Sequence, residues 1–442
     1  MQSIMLRMNV MSALEARVDE PIPVALIGPG VFGAHLVYQI EETPGMVPTI
    51  LADLDIEKAK RTFEKTGIDA DEVVFSNDSD DVAGAIDAGK RVVTEDGVVA
   101  SEAPVEVVIE TTGDPQAAAR HAWSAIGAEN DVVMVSVEVD STIGPLLSQY
   151  ASQQGVTYSM AYGDEPSQVV GMVDWARANG FEVVAAGQGT ELNFNRHATH
   201  EDSLDRYGVT EKFREDNDPD PKMYNTFLDG TKVAVELCAA ANAMGMRPDV
   251  SGTHMPETDR EGLLETFRPK ADGGVLDQTG VIDSVTPTDY RNPSAFVVTR
   301  AENEATQRYL DQRYNILTAN DGEYQLFDRQ YHLPPETLVS VASVALHDHP
   351  TGVVREQTSE VVAKAKRDLE PGETLATGED TIYGILEAAD VADAEGWVPL
   401  ELLNGAEVKQ SISTDDTISE ADVELHTDSV LYHLRKLQDE LV

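Results

Sequence analysis

Residues 24–33 read Val24-Ala25-Leu26-Ile27-Gly28-Pro29-Gly30-Val31-Phe32-Gly33, an apolar run followed by glycines at the first, third and sixth places of a loop. Val24–Ile27 suits a buried parallel strand, and Gly33–Glu42 continues with the spacing of a helix. Strand, glycine turn and helix in this order make a dinucleotide-binding fingerprint, which Asp53 completes at the end of the next strand. Gly28 allows the tight turn, Gly30 lets the backbone approach a pyrophosphate, and Gly33 permits close packing of helix on strand. Val31 and Phe32, between the glycines, are candidate cofactor contacts with them, and the N-terminus of the following helix offers free N–H groups and a positive dipole.

Outward from this loop, short apolar runs alternate with helical stretches. Val24–Ile27, Pro48–Ala52, Val105–Glu110, Val132–Val137 and Phe181–Ala186 read as strands, with Gly33–Glu42 and Pro115–Ala128 among the crossover helices. The pattern predicts an α/β fold with a doubly wound parallel sheet, the Rossmann arrangement, over residues 21–186, after an N-terminal extension at 1–20. Gly187–Asp220 is polar and loop-rich, Thr231–Met244 is a helix stopped by Gly245, and residues 187–350 form an α+β middle domain. Residues 351–442 read as a small β-rich module containing Glu360–Ala365, a turn at Glu370–Glu373 and Ala406–Ile412.

Composition narrows the function. The chain has 442 residues, 32 Lys plus Arg against 79 Asp plus Glu, and a formal net charge of −47. That charge repels nucleic acid and anionic lipid, so neither is expected as a partner. Spread along the chain, it reads as a solvated surface suited to high salt, with stability expected to require molar salt. The lone Cys238 lies in an apolar helical setting and reads as core. No stretch is apolar enough to cross a membrane and the first residues are unlike a signal peptide, so a cytoplasmic location is expected.

Around the fingerprint, Asp53 would accept hydrogen bonds from the adenosine ribose. Leu54 follows it where an arginine would meet a 2′-phosphate, so NAD is favoured over NADP, although Lys58 and Arg61 are near enough to serve such a phosphate. Thr112 and Gly113 end one strand and would line the nicotinamide side of the cleft. Glu138 follows another strand and is a candidate acid at the substrate. Glu165, Asn225, Arg329 and His332 are candidate substrate contacts, Arg329 as a clamp for a carboxylate or phosphate. Asp229 either meets substrate or caps the helix that follows it. His347-Asp348-His349 lacks a third ligand at fixed spacing, and no metal site is expected.

Gly28–Gly33, Val132–Asp140, Met223–Lys232, Leu326–Leu333 and Val362–Leu375, with Lys366-Arg367-Asp368-Leu369-Glu370-Pro371-Gly372, together resemble the homoserine dehydrogenase-like oxidoreductases that carry a C-terminal SAF domain. The resemblance runs from about Pro21 to the end. It implies a nicotinamide-dependent oxidoreductase with a Rossmann domain, a middle domain for catalysis and oligomerisation, and an SAF module. A branch of the family looks like deoxyxylulose phosphate reductoisomerase, but after Gly187–Thr190, where the resemblance implies a lysine, this chain has Glu191; Arg196 and His197 lie nearby. Hydride transfer needs a group to take or return a hydroxyl proton, and Lys232, in the first turn of an apolar helix, is the first candidate. Helix dipole and burial there would both lower its pKa. The expected function is hydride transfer between NAD(P) and a small polar hydroxy or oxo compound, in a homo-oligomer. A phosphosugar reductoisomerase and a noncatalytic dinucleotide-binding protein are the alternatives.

Overall fold

The computed structural model describes residues 10–190, 194–288, 295–330 and 333–442. The chain divides into two compact units. The first gathers residues 10–167 with Leu333–Val353 and Ser429–Val442; the second holds Gln168–His332 and Val354–Asp428.

Seven strands form the first unit's sheet: β1 (Ile22–Ile27), β2 (Met46–Ala52), β3 (Val73–Phe75), β4 (Arg91–Thr94), β5 (Val107–Glu110), β6 (Asp131–Met134) and β7 (Tyr158–Met160). Their order is β3-β4-β2-β1-β5-β6-β7, and every pairing is parallel. This is the doubly wound α/β sheet that the sequence predicts. Chain direction across the sheet reverses between β1 and β5, where Ile27 stands level with Ala52 on one side and Glu110 on the other. In open sheets of this kind ligands bind at such a reversal, outside the carboxyl ends of the strands. Leu36, Val37 and Ile40 of helix Val31–Glu42 pack against Ile22, Val24 and Leu26 beneath it.

Several boundaries differ from the expectation. Residues 10–15 of the extension form a helix whose Leu14 is buried in this core. Helix Thr337–His347, assigned by sequence to the middle domain, buries Val341, Ala342 and Val344 in the same core, and it ends with His347 and His349 exposed rather than on a strand. The last helix, Val430–Leu441, was read as part of a β module but completes the first unit. It covers a break in helix Val137–Gln154, where Pro145 interrupts the bonding and Ile143 leaves the helical region at φ −134°. The Gln438 amide bridges the gap, its Oε1 accepting from Leu146 N at 3.1 Å and its Nε2 donating to Thr142 O at 3.1 Å.

Phe181–Ala186 belongs to the other sheet. As β8 (Glu182–Gly189) it lies between β11 (Val281–Pro287), parallel, and β12 (Ala295–Arg300), antiparallel. β9 (Arg247–Pro248) and β10 (Glu257–Thr258) pair with β11; β13 (Leu317–Ala319) and β14 (Tyr324–Arg329) continue beyond β12. A strand apolar on both faces reads alike in either sheet, which is why its sequence did not separate them. Prolines at 219 and 221 do not leave the preceding segment a bare loop: helices Ser203–Arg206 and Glu211–Asn217 form, and Pro221 opens helix Pro221–Asp229. Thr231–Met244 follows as predicted and ends at Gly245, φ 64°. It is buried nearly all round, against β8 and β11 and against the hairpin β15 (Ser359–Ala365) and β16 (Ile382–Ala388). Cys238 is fully buried there, its thiol 3.4 Å from Ser359 O. β17 (Glu407–Val408) and β18 (Val423–Glu424) are all that forms as strand around Ala406–Ile412.

Candidate functional site

In the first unit, the β1 turn has the geometry that a dinucleotide cradle requires. Gly28 takes φ +85°, and a Cβ there would lie 2.9 Å from Thr112 Cα. Gly33 is packed as tightly: a Cβ would stand 2.6 Å from Gly28 O and 2.7 Å from Thr111 Oγ1. Gly30 faces open space, with nothing nearer than Gly28 O at 3.9 Å. It is also the N-cap of helix Val31–Glu42 and supplies no side-chain cap, so the helix's leading N–H groups point to the side where a pyrophosphate would lie. These features fit a nicotinamide dinucleotide.

Asp53, one residue past β2, is largely buried, with its side chain 13% exposed and 3.1 Å from Lys58 Nζ. Its other oxygen accepts from Asp55 N at 2.9 Å. Lys58, itself partly exposed, thus stands beside the Asp53 carboxylate. Arg61 lies 3.5 Å from Asp55.

The β5 end is tied to the β1 turn. Thr111 Oγ1 donates to Gly28 O at 2.7 Å and lies 2.9 Å from Ile27 O. Behind Thr112 and Gly113 sits Glu110, wholly buried. Its carboxylate accepts from Thr112 Oγ1 at 2.6 Å and from Ser136 Oγ, and His121 Nδ1 lies 3.3 Å away. Ser136 Oγ in turn accepts from Gly113 N at 2.9 Å, and Gly113 takes φ +70°. Glu110 thus fixes the loop that carries both predicted residues. It belongs to no motif; its signal in the sequence is an acid closing an otherwise apolar strand. Glu138 differs from the expectation. It lies in the first turn of helix Val137–Gln154, half-buried, and not in a turn beyond the strand. An acid in that position is favoured by the helix dipole alone. Glu165 begins helix Glu165–Ala178 and is half-buried.

Asp140, two residues after Glu138, is fully buried with Tyr158, whose hydroxyl donates to Asp140 Oδ1 at 3.0 Å. Burial pushes the Asp140 carboxyl up to about 8, against the pull of the Tyr158 hydrogen bond, with Glu138 and Asp164 pushing the same way.

In the second unit, the first turn of helix Thr231–Met244 holds Lys232, half-buried, and the next turn holds Glu236, 3% exposed, which accepts from the Gln188 amide of β8. Asp229 is held in the interior of the second unit by fixed partners. It is fully buried, ion-paired to Lys366 at 2.7 Å, and its Oδ1 accepts from Thr231 N at 2.8 Å, which is the capping role. Burial raises its carboxyl above the ordinary range while Lys366 and Thr231 pull it back. Asn225 is likewise fully buried and does not meet solvent. Its amide donates to Ala198 O at 3.1 Å and Gly378 O at 2.9 Å, pinning its helix to the loop before β16. Its sequence gave no hint of this because polar residues at a helix end read alike whether buried or exposed. Arg329 ends β14 opposite Ala295, half-buried, while its neighbour Asp328 takes a bidentate contact from Arg260 at 2.6 and 2.7 Å. His332 lies outside the described residues.

Residues 163–335 match a family model described as the catalytic domain of oxidoreductase DRL. No curated protein matches the chain. Among solved structures, scyllo-inositol dehydrogenase from Lactobacillus casei, with bound NAD(H) and scyllo-inositol, is similar over 76% of this chain and 92% of its own, at 10% identity and a TM-score of 0.40. For 1-deoxy-D-xylulose 5-phosphate reductoisomerase from Zymomonas mobilis in complex with NADPH, identity is 14% and the TM-score 0.34; the match covers 50% of this chain and spans only 58% of that protein. A probable dehydrogenase from Thermotoga maritima is similar over 73% of this chain and 87% of its own, at 10% identity and a TM-score of 0.38.

Proposed function

We propose that the protein is an NAD(P)-dependent oxidoreductase that moves hydride between the nicotinamide and a small polar hydroxy or oxo compound, as homoserine dehydrogenase-like enzymes do. The observation that carries this reading is the open Gly30 cradle at the β1–β5 reversal, with Asp53 beside it. The match of residues 163–335 to an oxidoreductase catalytic domain supports it from the other half of the chain.

The cofactor, when bound, supplies the hydride acceptor or donor. Gly28, Gly30 and Gly33, with the amides opening helix Val31–Glu42, would hold its pyrophosphate, and Asp53 would accept hydrogen bonds from its ribose. The Lys58 ammonium beside Asp53 leaves room for either NAD or NADP. Thr112 and Gly113, held by Glu110, shape the floor of the crevice. Lys232 holds the hydroxyl proton: during oxidation the substrate O–H proton passes to Nζ as the carbon loses hydride, and during reduction Nζ returns it.

The test is a panel of polar alcohols and carbonyl compounds assayed at 340 nm with both cofactors, using the native chain and Lys232→Ala. Hydride exchange by the native chain, lost in the variant, supports the reading. Turnover of a phosphosugar only with added Mg²⁺ or Mn²⁺ would replace it with a rearrangement followed by reduction. Cofactor binding without exchange across the panel would leave a noncatalytic dinucleotide-binding protein.

A further inference from the structure

The second unit contains a half-buried guanidinium that no carboxylate hydrogen-bonds among the described residues. Arg196 is stacked between two rings, its Cζ 4.8 Å from the Phe194 centroid and 5.5 Å from that of Tyr383. Its hydrogen bonds are few and weak: Nη2 reaches Met255 Sδ at 2.9 Å and Nη1 reaches the Asp229 carbonyl at 3.4 Å. The nearby carboxylates are engaged elsewhere, Asp229 with Lys366 and Asp415 with His197 and the Tyr383 hydroxyl. In a chain with 79 acidic residues, among the described residues none hydrogen-bonds this arginine. An arginine stays charged in a protein, and a buried charge is costly unless paired. Burial lowers its affinity for the proton, while Tyr383, Asp229 and Asp415 pull the other way.

The guanidinium borders a cavity of about 10 Å³, room for one water-sized occupant. Val233, Leu237 and Ile385 give it apolar walls, while Thr253 and Ser284 add hydroxyls. Those two oxygens lie 2.6 Å apart, so one hydroxyl donates to the other and one proton remains for a guest. The loop is held in place at a cost. Thr253 and Met255 sit at φ +65° and +46°, a strained region for such side chains, and Asp283 anchors the intervening His254 through its backbone N at 2.9 Å and Nδ1 at 2.6 Å. Gly230, Val233, Ala234 and Leu237 face the cavity at one-face helical spacing, so it lies on the opposite face of helix Thr231–Met244 from Lys232 and Glu236.

We infer that this cavity binds a monatomic anion, chloride, with Arg196 as its charge partner and the Thr253–Ser284 pair as its hydroxyl donor. A water would bring the guanidinium no charge, and a space of about 10 Å³ suits a single small occupant. The chain's own negative field does not prevent binding where salt is concentrated, since at about 1 M the Debye length falls to about 3 Å. The site is independent of the proposed hydride transfer.

The test is ³⁵Cl NMR of the full chain at fixed ionic strength. The expected result is excess chloride line broadening that saturates, is displaced by bromide, and loses affinity at least about tenfold in Arg196→Met, with Arg313→Met as an exposed control that retains it. Broadening unchanged in Arg196→Met, or displaced by phosphate more readily than by bromide, would overturn the assignment. Should Arg196→Met fail to fold, crystals of the native chain grown in bromide decide: an anomalous peak at the Arg196 guanidinium is expected, and its absence there overturns the proposal.

Discussion

Two glycines of one motif should fail in opposite ways when given a methyl group. At Gly33 the added Cβ meets a backbone carbonyl at 2.6 Å and Thr111 Oγ1 at 2.7 Å. Neither can retreat easily, because Thr111 is the link between the β5 and β1 ends. Overpacking of this kind costs about 1–3 kcal/mol, so Gly33→Ala should lower the melting temperature of the protein. At Gly30 the nearest atom is 3.9 Å from the Cβ position, and φ −72° suits any residue. The entropy gained by removing a glycine, about 0.4–1 kcal/mol, roughly offsets what alanine loses as an N-cap. Gly30→Ala should therefore melt as the native protein does. The methyl group fills the space the pyrophosphate needs, and NADH affinity should fall by at least about 100-fold, or about 2.7 kcal/mol. Melting curves and NADH fluorescence titrations on the two variants measure both effects. Gly30→Ala that folds normally and binds NADH as tightly as the native chain would refute the reasoning.

Further outcomes follow from other sites. Lys232→Ala should leave cofactor affinity unchanged and reduce turnover by about 10²–10⁴, read from steady-state rates on a substrate found in the panel. Asp229→Ala strands Lys366 in the interior and should cost about 3–5 kcal/mol of stability by denaturant titration, while the double change Asp229→Leu with Lys366→Met should recover most of it. Asp140 binds its proton more tightly folded, at about 8, than unfolded, so stability is lost as pH rises from about 4 towards 8, by at most about 1.4 kcal/mol per unit. Asp140→Asn should flatten that slope and melt higher than the native protein at pH 8, but not at pH 4. With a net charge of −47, the melting temperature should climb between low and multimolar KCl; a flat response would remove the case for salt adaptation.

Local signals in the sequence carried the first unit well. The glycine turn, the apolar runs and Asp53 stand where their spacing puts them because each is decided by neighbours in the chain. What escaped is decided by distant chain. Helix Thr337–His347 and helix Val430–Leu441 look like ordinary amphipathic segments, and nothing local says that they return to the first core or that Gln438 repairs the helix broken at Pro145. Burial of polar groups was equally hidden. Asp229 and Asn225 are isolated polar residues in the sequence, and only the fold gives them Lys366 and the carbonyls of Ala198 and Gly378. Glu110 shows the converse: a charged residue inside a core is the readable sign of a site, but its partners come from elements far apart in sequence.

The central claim is that the Gly28–Gly33 turn holds a nicotinamide cofactor. Titration of the purified protein with NADH and NADPH by fluorescence, in about 2 M KCl to screen its charge, tests this most directly. Saturable binding of at least one, lost in Gly30→Ala, is the predicted result; no binding of either by a correctly folded protein would contradict the account.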